Sequence, residues 1–241
     1  MKILVKVLIA FILAAVIMVS AAGCGTGGNG GTGTTALMPG STGAGSTAGA
    51  AGAAKGAAKT LIAFSNIVIQ NDMGVTSVIG EAMNNDSNAH SFTLVVSFYD
   101  KDKKLLGSAV GAVNEVNGGE SKIFSAMATD VYANVASYKV QVDTMISTNS
   151  NKKSPIEFSN IASDAQSGIT TVSGEAKNTD TVSHSFSVVV GFYDKNKKLI
   201  GSATGAVNDL AAGDTNTFSA LTSGDFSNAD SYKAQVDAMI Q

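Results

Sequence analysis

Few side chains in this chain of 241 residues have the type and spacing that invite chemistry. His90 and His184 are the two histidines, and both open the triplet His-Ser-Phe. A zinc or other transition-metal site needs three or four ligands at short, regular spacings. Neither histidine has such company, so both read as solvated polar residues at the entry to a strand, and no metal site is expected. Asp100-Lys-Asp102 alternates acids as a calcium loop does. The interleaved lysines oppose a cation, and the glycine and distal glutamate of an EF-hand loop are missing. Asn84, Asp86 and Asn88, with Asn178 and Asp180 in a second stretch, are strong turn formers that can also offer hydrogen bonds to a carbohydrate or a protein. They are the candidate partner-facing loops. Nucleophile elbows of the Gly-x-Ser-x-Gly type, phosphate-cradling Gly-Lys-Thr loops and His-Glu-x-x-His pairs do not occur. No catalytic residue and no cofactor is therefore expected, and the sole thiol is Cys24.

The elements that carry these residues come in two copies. His90-SFTLVVSFYDKDKKLLGSAVGAV-Asn114 returns as His184-SFSVVVGFYDKNKKLIGSATGAV-Asn208, displaced by 94 residues without a gap. Phe92, Leu94, Val96 and Phe98 alternate with Thr93, Val95, Ser97 and Tyr99, and Phe186 to Tyr193 repeat the pattern. This period of two predicts a strand with one wholly apolar face. The charged run Asp100–Lys104 or Asp194–Lys198 must turn in solvent, with Asp102 and Asn196 as the residues suited to a left-handed backbone. A second strand follows through Gly107/Gly201 and Gly111/Gly205, completing a hairpin. Further strands are expected near 62–70, 75–84, 120–127 and 138–146. Residues 130–137 lack alternation and are read as one helical turn.

An apolar strand ending in Tyr-Asp, a lysine-rich tip, then Leu-Leu/Ile-Gly and a Gly-Glu/Asp before Phe resembles the FxLYD domain, a small β-sandwich module of bacterial lipoproteins and envelope proteins. The motif positions read Val96-Ser-Phe-Tyr-Asp100 and Val190-Gly-Phe-Tyr-Asp194, with apolar substitutions at the first and third places. The resemblance implies a fold and an envelope context, and brings neither catalytic residues nor a defined ligand.

The same duplication extends over 62–146 and 156–240, where 45 of 85 aligned positions are identical. The fold class expected is all-β: two tandem immunoglobulin-like, FxLYD-type antiparallel sandwiches over 61–147 and 156–241, each long enough for seven strands. A polar linker, 148–155, joins them. Phe98 and Phe192 are expected in the two cores. Cores kept in kind on either side of a short polar linker suggest units that fold alone, touching through a small, mainly polar contact.

Residues 1–23 read as a secretory signal, with Lys2 and Lys6 ahead of an apolar run to Val19. Ala21-Ala-Gly-Cys24 resembles the lipobox of bacterial lipoproteins, in which the cysteine is lipidated and becomes the mature N-terminus. The expectation is an exported protein held to the membrane lipid through Cys24 and facing outside the cytoplasm. Residues 24–60, rich in Gly, Ala, Thr and Ser, read as a disordered tether with a reach of roughly 30–36 Å.

Charge excludes one class of partner. The 16 basic residues are all lysine against 19 acids, and the repeats hold 9 acids with 5 lysines and 10 acids with 5 lysines. Acidic modules without arginine repel a phosphate backbone, so no nucleic-acid partner is expected. What remains is a non-catalytic binding or structural role toward an envelope protein or polysaccharide. A solute-binding lipoprotein of a transporter is an alternative that the missing α/β alternation disfavours. A secreted hydrolase or its inhibitor is another, and the missing catalytic motifs weigh against the hydrolase.

Overall fold

The computed structural model describes residues 36–39, 61–72, 74–148 and 151–240. The described residues form an all-β protein without helices. Strand β1 (Ala36–Pro39) precedes the repeats. Repeat 1 holds β2 (Ile62–Asp72), β3 (Val75–Asn84), β4 (Ala89–Tyr99), β5 (Leu105–Val116), β6 (Ser121–Met127) and β7 (Ser137–Thr148). Repeat 2 holds β8 (Ile156–Gln166), β9 (Ile169–Asn178), β10 (His184–Tyr193), β11 (Leu199–Leu210), β12 (Thr215–Ser223) and β13 (Ser231–Ile240).

Each repeat is one antiparallel sheet curled on itself, in the order β7-β4-β5-β6-β3-β2 and, in repeat 2, β13-β10-β11-β12-β9-β8. The curl falls between β5 and β6. There the ladder has only two pairs, Val110 with Met127 and Gly111 with Ala126, repeated as Thr204 with Leu221 and Gly205 with Ala220. A Cβ on Gly111 would stand 2.3 Å from the Ser125 carbonyl oxygen, and one on Gly205 2.1 Å from that of Ser219. Only glycine allows so close a backbone approach. The strands on either side of the curl then face each other as the layers of a sandwich.

The core lies between the layers. In repeat 1, Phe64 of β2 meets Phe92 of β4 and Phe124 of β6 edge-on, and Phe158, Phe186 and Phe218 repeat the trio. Phe98 and Phe192 are fully buried, as the alternation of their strands requires.

Four local features differ from the sequence reading. Each repeat supplies six strands rather than seven; the seventh in repeat 1's sheet is β1, which pairs along the β7 edge from Ala36 opposite Val140 to Pro39 opposite Ser137. That strand lies within the stretch read as a tether. Residues 130–136 are irregular rather than helical, and Ser137 already opens β7. Thr76 Oγ1 accepts from the N–H of Tyr132, and Thr170 Oγ1 from that of Phe226. These anchors lay Tyr132 against Phe98 and stack Phe226 on Phe192. At the hairpin tip the left-handed residue is Lys103, or Lys197, and not Asp102 or Asn196. The reason is Asp100: its Oδ1 accepts from the N–H groups of Asp102 and Lys104 at 2.9 Å each, fixing the turn one residue later than expected. Asp194 does the same for Asn196 and Lys198. Finally, the two repeats meet through an apolar contact, described below.

Candidate functional site

The Asx loops are clamped from inside. Asn84 is fully buried at the end of β3. Its Nδ2 donates to the carbonyls of Asn88 (2.7 Å) and Val116 (3.0 Å), and its Oδ1 accepts from the N–H of Asp86 (2.9 Å). Asn178, also fully buried, grips the carbonyls of Val182 and Leu210 and the N–H of Asp180 in the same way. These two amides therefore face the protein and not a partner, which corrects the reading of Asn84 and Asn178 as partner-facing. Folding accounts for it: a buried amide without hydrogen bonds is costly, and the loop carbonyls supply them.

Asp86 and Asp180 continue the clamp. Asp86 Oδ2 meets His90 Nε2 at 2.7 Å, and Asp180 Oδ2 meets His184 Nε2 at 2.9 Å. The His90 hydrogen bond, then the N–H of Ser87, hold the Asp86 carboxyl below the usual carboxylate range. For Asp180 the N–H of Thr181 comes first and His184 second. His90 is 2% exposed, so it is not the solvated strand-entry residue that its position suggested. The signal was present in the sequence. Asp-x-x-x-His occurs in both repeats while all three intervening residues change. Of the five loop candidates, Asn88 alone is exposed.

In repeat 1 the series extends by one member, because Ser147 Oγ lies 3.1 Å from His90 Nδ1. Serine, histidine and carboxylate in hydrogen-bonded sequence are the parts of an activated nucleophile. Repeat 2 keeps the Asp–His pair and carries Gln241 in place of the serine. What the two copies share is thus the loop clamp. The linker docks beside it: Asn151 Nδ2 donates to the Ser87 carbonyl, its Oδ1 accepts from the Gly118 N–H, and Asn117 donates to the Lys152 carbonyl. Asn117–Glu120, Asn151 and Lys153 line a shallow open depression there. No group of three or more His, Cys, Asp and Glu side chains suited to a metal occurs among the described residues.

The most elaborate constellation joins the repeats. On β4 the outward residues Val95, Ser97 and Tyr99 are half-buried, whereas their equivalents on β10, Val189, Gly191 and Tyr193, are buried. The strand sequences are nearly the same, so the difference comes from what covers β10, namely β3 and β6 of repeat 1. Ile79 of β3 packs with Tyr193 and Leu199 in a buried cluster that Val68 of β2 flanks. A Cβ on Gly191 would lie 2.6 Å from Ile123 Cδ1 of β6, so the glycine makes room for that isoleucine.

Polar groups surround this apolar centre. Tyr193 Oη donates to Glu81 Oε1 at 2.7 Å, while Asn66 holds the other oxygen of Glu81. The Gln235 amide satisfies both the N–H and the C=O of Ile123, at 3.0 Å each, as a neighbouring strand would. Lys233 Nζ donates to the Ser121 carbonyl. Burial raises the Tyr193 pKa, with the Glu81 hydrogen bond adding to the shift. Burial also raises Asp237 and lowers Lys122, while each one's charge opposes the other's shift. The expectation of a small, mainly polar contact is therefore corrected. Its apolar half could have been found at outward positions that are apolar in one copy only, Ile79 against Ser173 and Ile123 against Thr217.

Cys24 and the signal segment lie outside the described residues. No family model matches the chain, and no curated protein matches it. Among solved structures, β-glucuronidase 2 of Bacteroides uniformis, covalently bound to cyclophellitol-6-carboxylate aziridine, aligns with 64% of this chain at 12% identity and a TM-score of 0.24. The chain spans about a fifth of that enzyme's length, 22%.

Proposed function

We propose that this protein is an exported lipoprotein, anchored through a lipidated Cys24, whose two β-sandwich modules serve as a non-catalytic binding or structural element of the cell envelope. The observation that carries the reading is the order of Lys2 and Lys6, an apolar run to Val19, then Ala21-Ala-Gly-Cys24, with the chain's only cysteine at the place where lipid would be attached. The resemblance of both repeats to the FxLYD domain supports the same compartment. A chain without a second cysteine has no intramolecular disulfide, so outside the cytoplasm its modules depend on their aromatic cores. The partner on this reading is an envelope protein or a polysaccharide, met through exposed loops and sheet faces.

Cys24→Ser in the full chain tests it. The variant should lose incorporation of a labelled fatty acid, and should leave the membrane fraction or accumulate unprocessed. A variant that is processed and stays membrane-bound like the unaltered protein would sink the reading.

A further inference from the structure

Repeat 1 carries a copy of the surface with which repeat 2 docks; there Leu105 and Val110 face outward, and β1 lies along its β7 edge. Tyr99, Leu105 and Lys139 are the same residues as Tyr193, Leu199 and Lys233, at the same places on the strands. In repeat 2 these three meet Glu81, Ile79 and the Ser121 carbonyl. In repeat 1, Leu105 is 56% exposed against 0% for Leu199, and Val110 beside it is 49% exposed. The contact within the chain is heterologous: one face of repeat 2 meets a different face of repeat 1. Such contacts have no built-in stop, and applied again they add a further unit.

The complementary face is present on repeat 2. Glu175 stands where Glu81 stands, and Asn160 Nδ2 holds its Oε2 at 2.7 Å as Asn66 holds Oε2 of Glu81 at 2.6 Å. That leaves Oε1 equivalent to the atom that receives Tyr193. The apolar members have changed in a matched way. Gly191 lies under Ile123 within the chain; the corresponding pair between chains would be Ser97 and Thr217, a larger residue facing a smaller one. Leu105 would meet Ser173, which is exposed, in place of Ile79.

We infer that the outward β4-β5-β7 face of repeat 1 is a docking surface for a second copy of this chain, received through the β9-β12 face of that copy's repeat 2. The result is a head-to-tail assembly that repeats the Tyr193–Glu81 hydrogen bond as Tyr99 with Glu175, with the apolar centre reduced. It is accordingly weaker than the intrachain contact and favoured where copies are concentrated. The inference does not depend on lipidation of Cys24.

The test uses the full chain in mild detergent, with Cys24→Ser so that introduced thiols are unique. Chains with Leu105→Cys are mixed with chains with Ser173→Cys and treated with a short bis-maleimide. Cross-linked dimers should form at least tenfold more readily than with Lys101→Cys, at the exposed hairpin tip, in place of Leu105→Cys. A single chain carrying both cysteines should give a ladder. A gain-of-contact variant guards against simple misfolding: Ser97→Gly, Ser173→Ile and Thr217→Ile together copy the intrachain residues. It should associate at a concentration at least tenfold lower in sedimentation, and Leu105→Asp should abolish that gain. The inference is overturned if mixed chains cross-link no better than the tip control. It is equally overturned if Leu105→Cys chains pair chiefly with each other, or if the gain survives Leu105→Asp.

Discussion

Asp86 and His90 show how a residue pair that resembles a reactive centre can belong to the fold. Asp86 has its folded-state pKa depressed, first by the His90 hydrogen bond. Its contribution to stability is therefore present above the unfolded-state value of about 4 and is lost as pH falls through the lower, folded-state value. The urea midpoint of repeat 1 should hold down to about pH 4 and begin to fall below it, and Asp86→Asn should flatten that part of the profile. An unchanged acid limb in the variant would show that the carboxylate does not hold the loop. Tyr193 has the opposite sign. Its pKa is raised by burial and by Glu81, so its contribution is full below the unfolded-state value of about 10 and is lost as pH rises through the folded-state value. Burial raises Tyr138 as well, so in an alkaline absorbance titration two of the five tyrosines should ionise late, and Tyr193→Phe should remove one of those late steps. If both late steps persist in the variant, Tyr193 is not one of the two shifted tyrosines.

At the scale of the element, two strands of nearly the same sequence have different surroundings. The β4 strand shows one buried and one half-exposed face, and β10 is buried on both from Val188 to Tyr193. The inner face sets the stability of each sandwich. Phe98→Ala or Phe192→Ala should cost about 3–5 kcal/mol, the usual range for a buried phenylalanine, in the unfolding of the repeat that carries it. A loss below about 1 kcal/mol would contradict the packing. The outer face sets the coupling between repeats. Gly191→Ser, which gives β10 the residue of β4, should cost about 1–3 kcal/mol through overpacking against Ile123. Ser97→Gly, the reverse exchange on the exposed face, should change coupling little. Equal effects from the two substitutions, read as shifts of the tandem unfolding midpoint, would argue against the assigned contact.

For the whole molecule, each repeat has a core of its own, one around Phe64, Phe98 and Phe124 and one around Phe186, Phe192 and Phe218. The contact between them adds a third cluster that neither repeat can form alone. Residues 60–148 and 152–241 produced separately should each unfold cooperatively, and each should be less stable than in the tandem chain. With burial of an aliphatic side chain contributing about 1.5–3 kcal/mol, covering Ile79 and Leu199 should couple the repeats by at least about 2 kcal/mol. Fragments with the same midpoints as the tandem would mean that the contact contributes nothing. A fragment that is unfolded alone would mean that its core is incomplete without its neighbour.

The sequence by itself determined what depends on local periodicity and on duplication. Strict alternation from Phe92 to Phe98 requires a strand with one apolar face, and its return 94 residues later requires a second module of the same kind. Glycines at 111 and 205 were visible, but their purpose was not, because the Ser125 and Ser219 carbonyls that crowd them are brought there only by the curl of the sheet. Asn84 reads as a turn former on any local rule. Its burial depends on the Val116 carbonyl, 32 residues away. The same holds between the repeats. Ile79 and Ile123 are ordinary strand residues in sequence, and alternation places them on an outward face. Whether such a face meets water or another module depends on the docking of distant segments, which no local pattern encodes. The tertiary structure decided that point by setting Leu199 and Tyr193 over Ile79, and by leaving Leu105 in solvent.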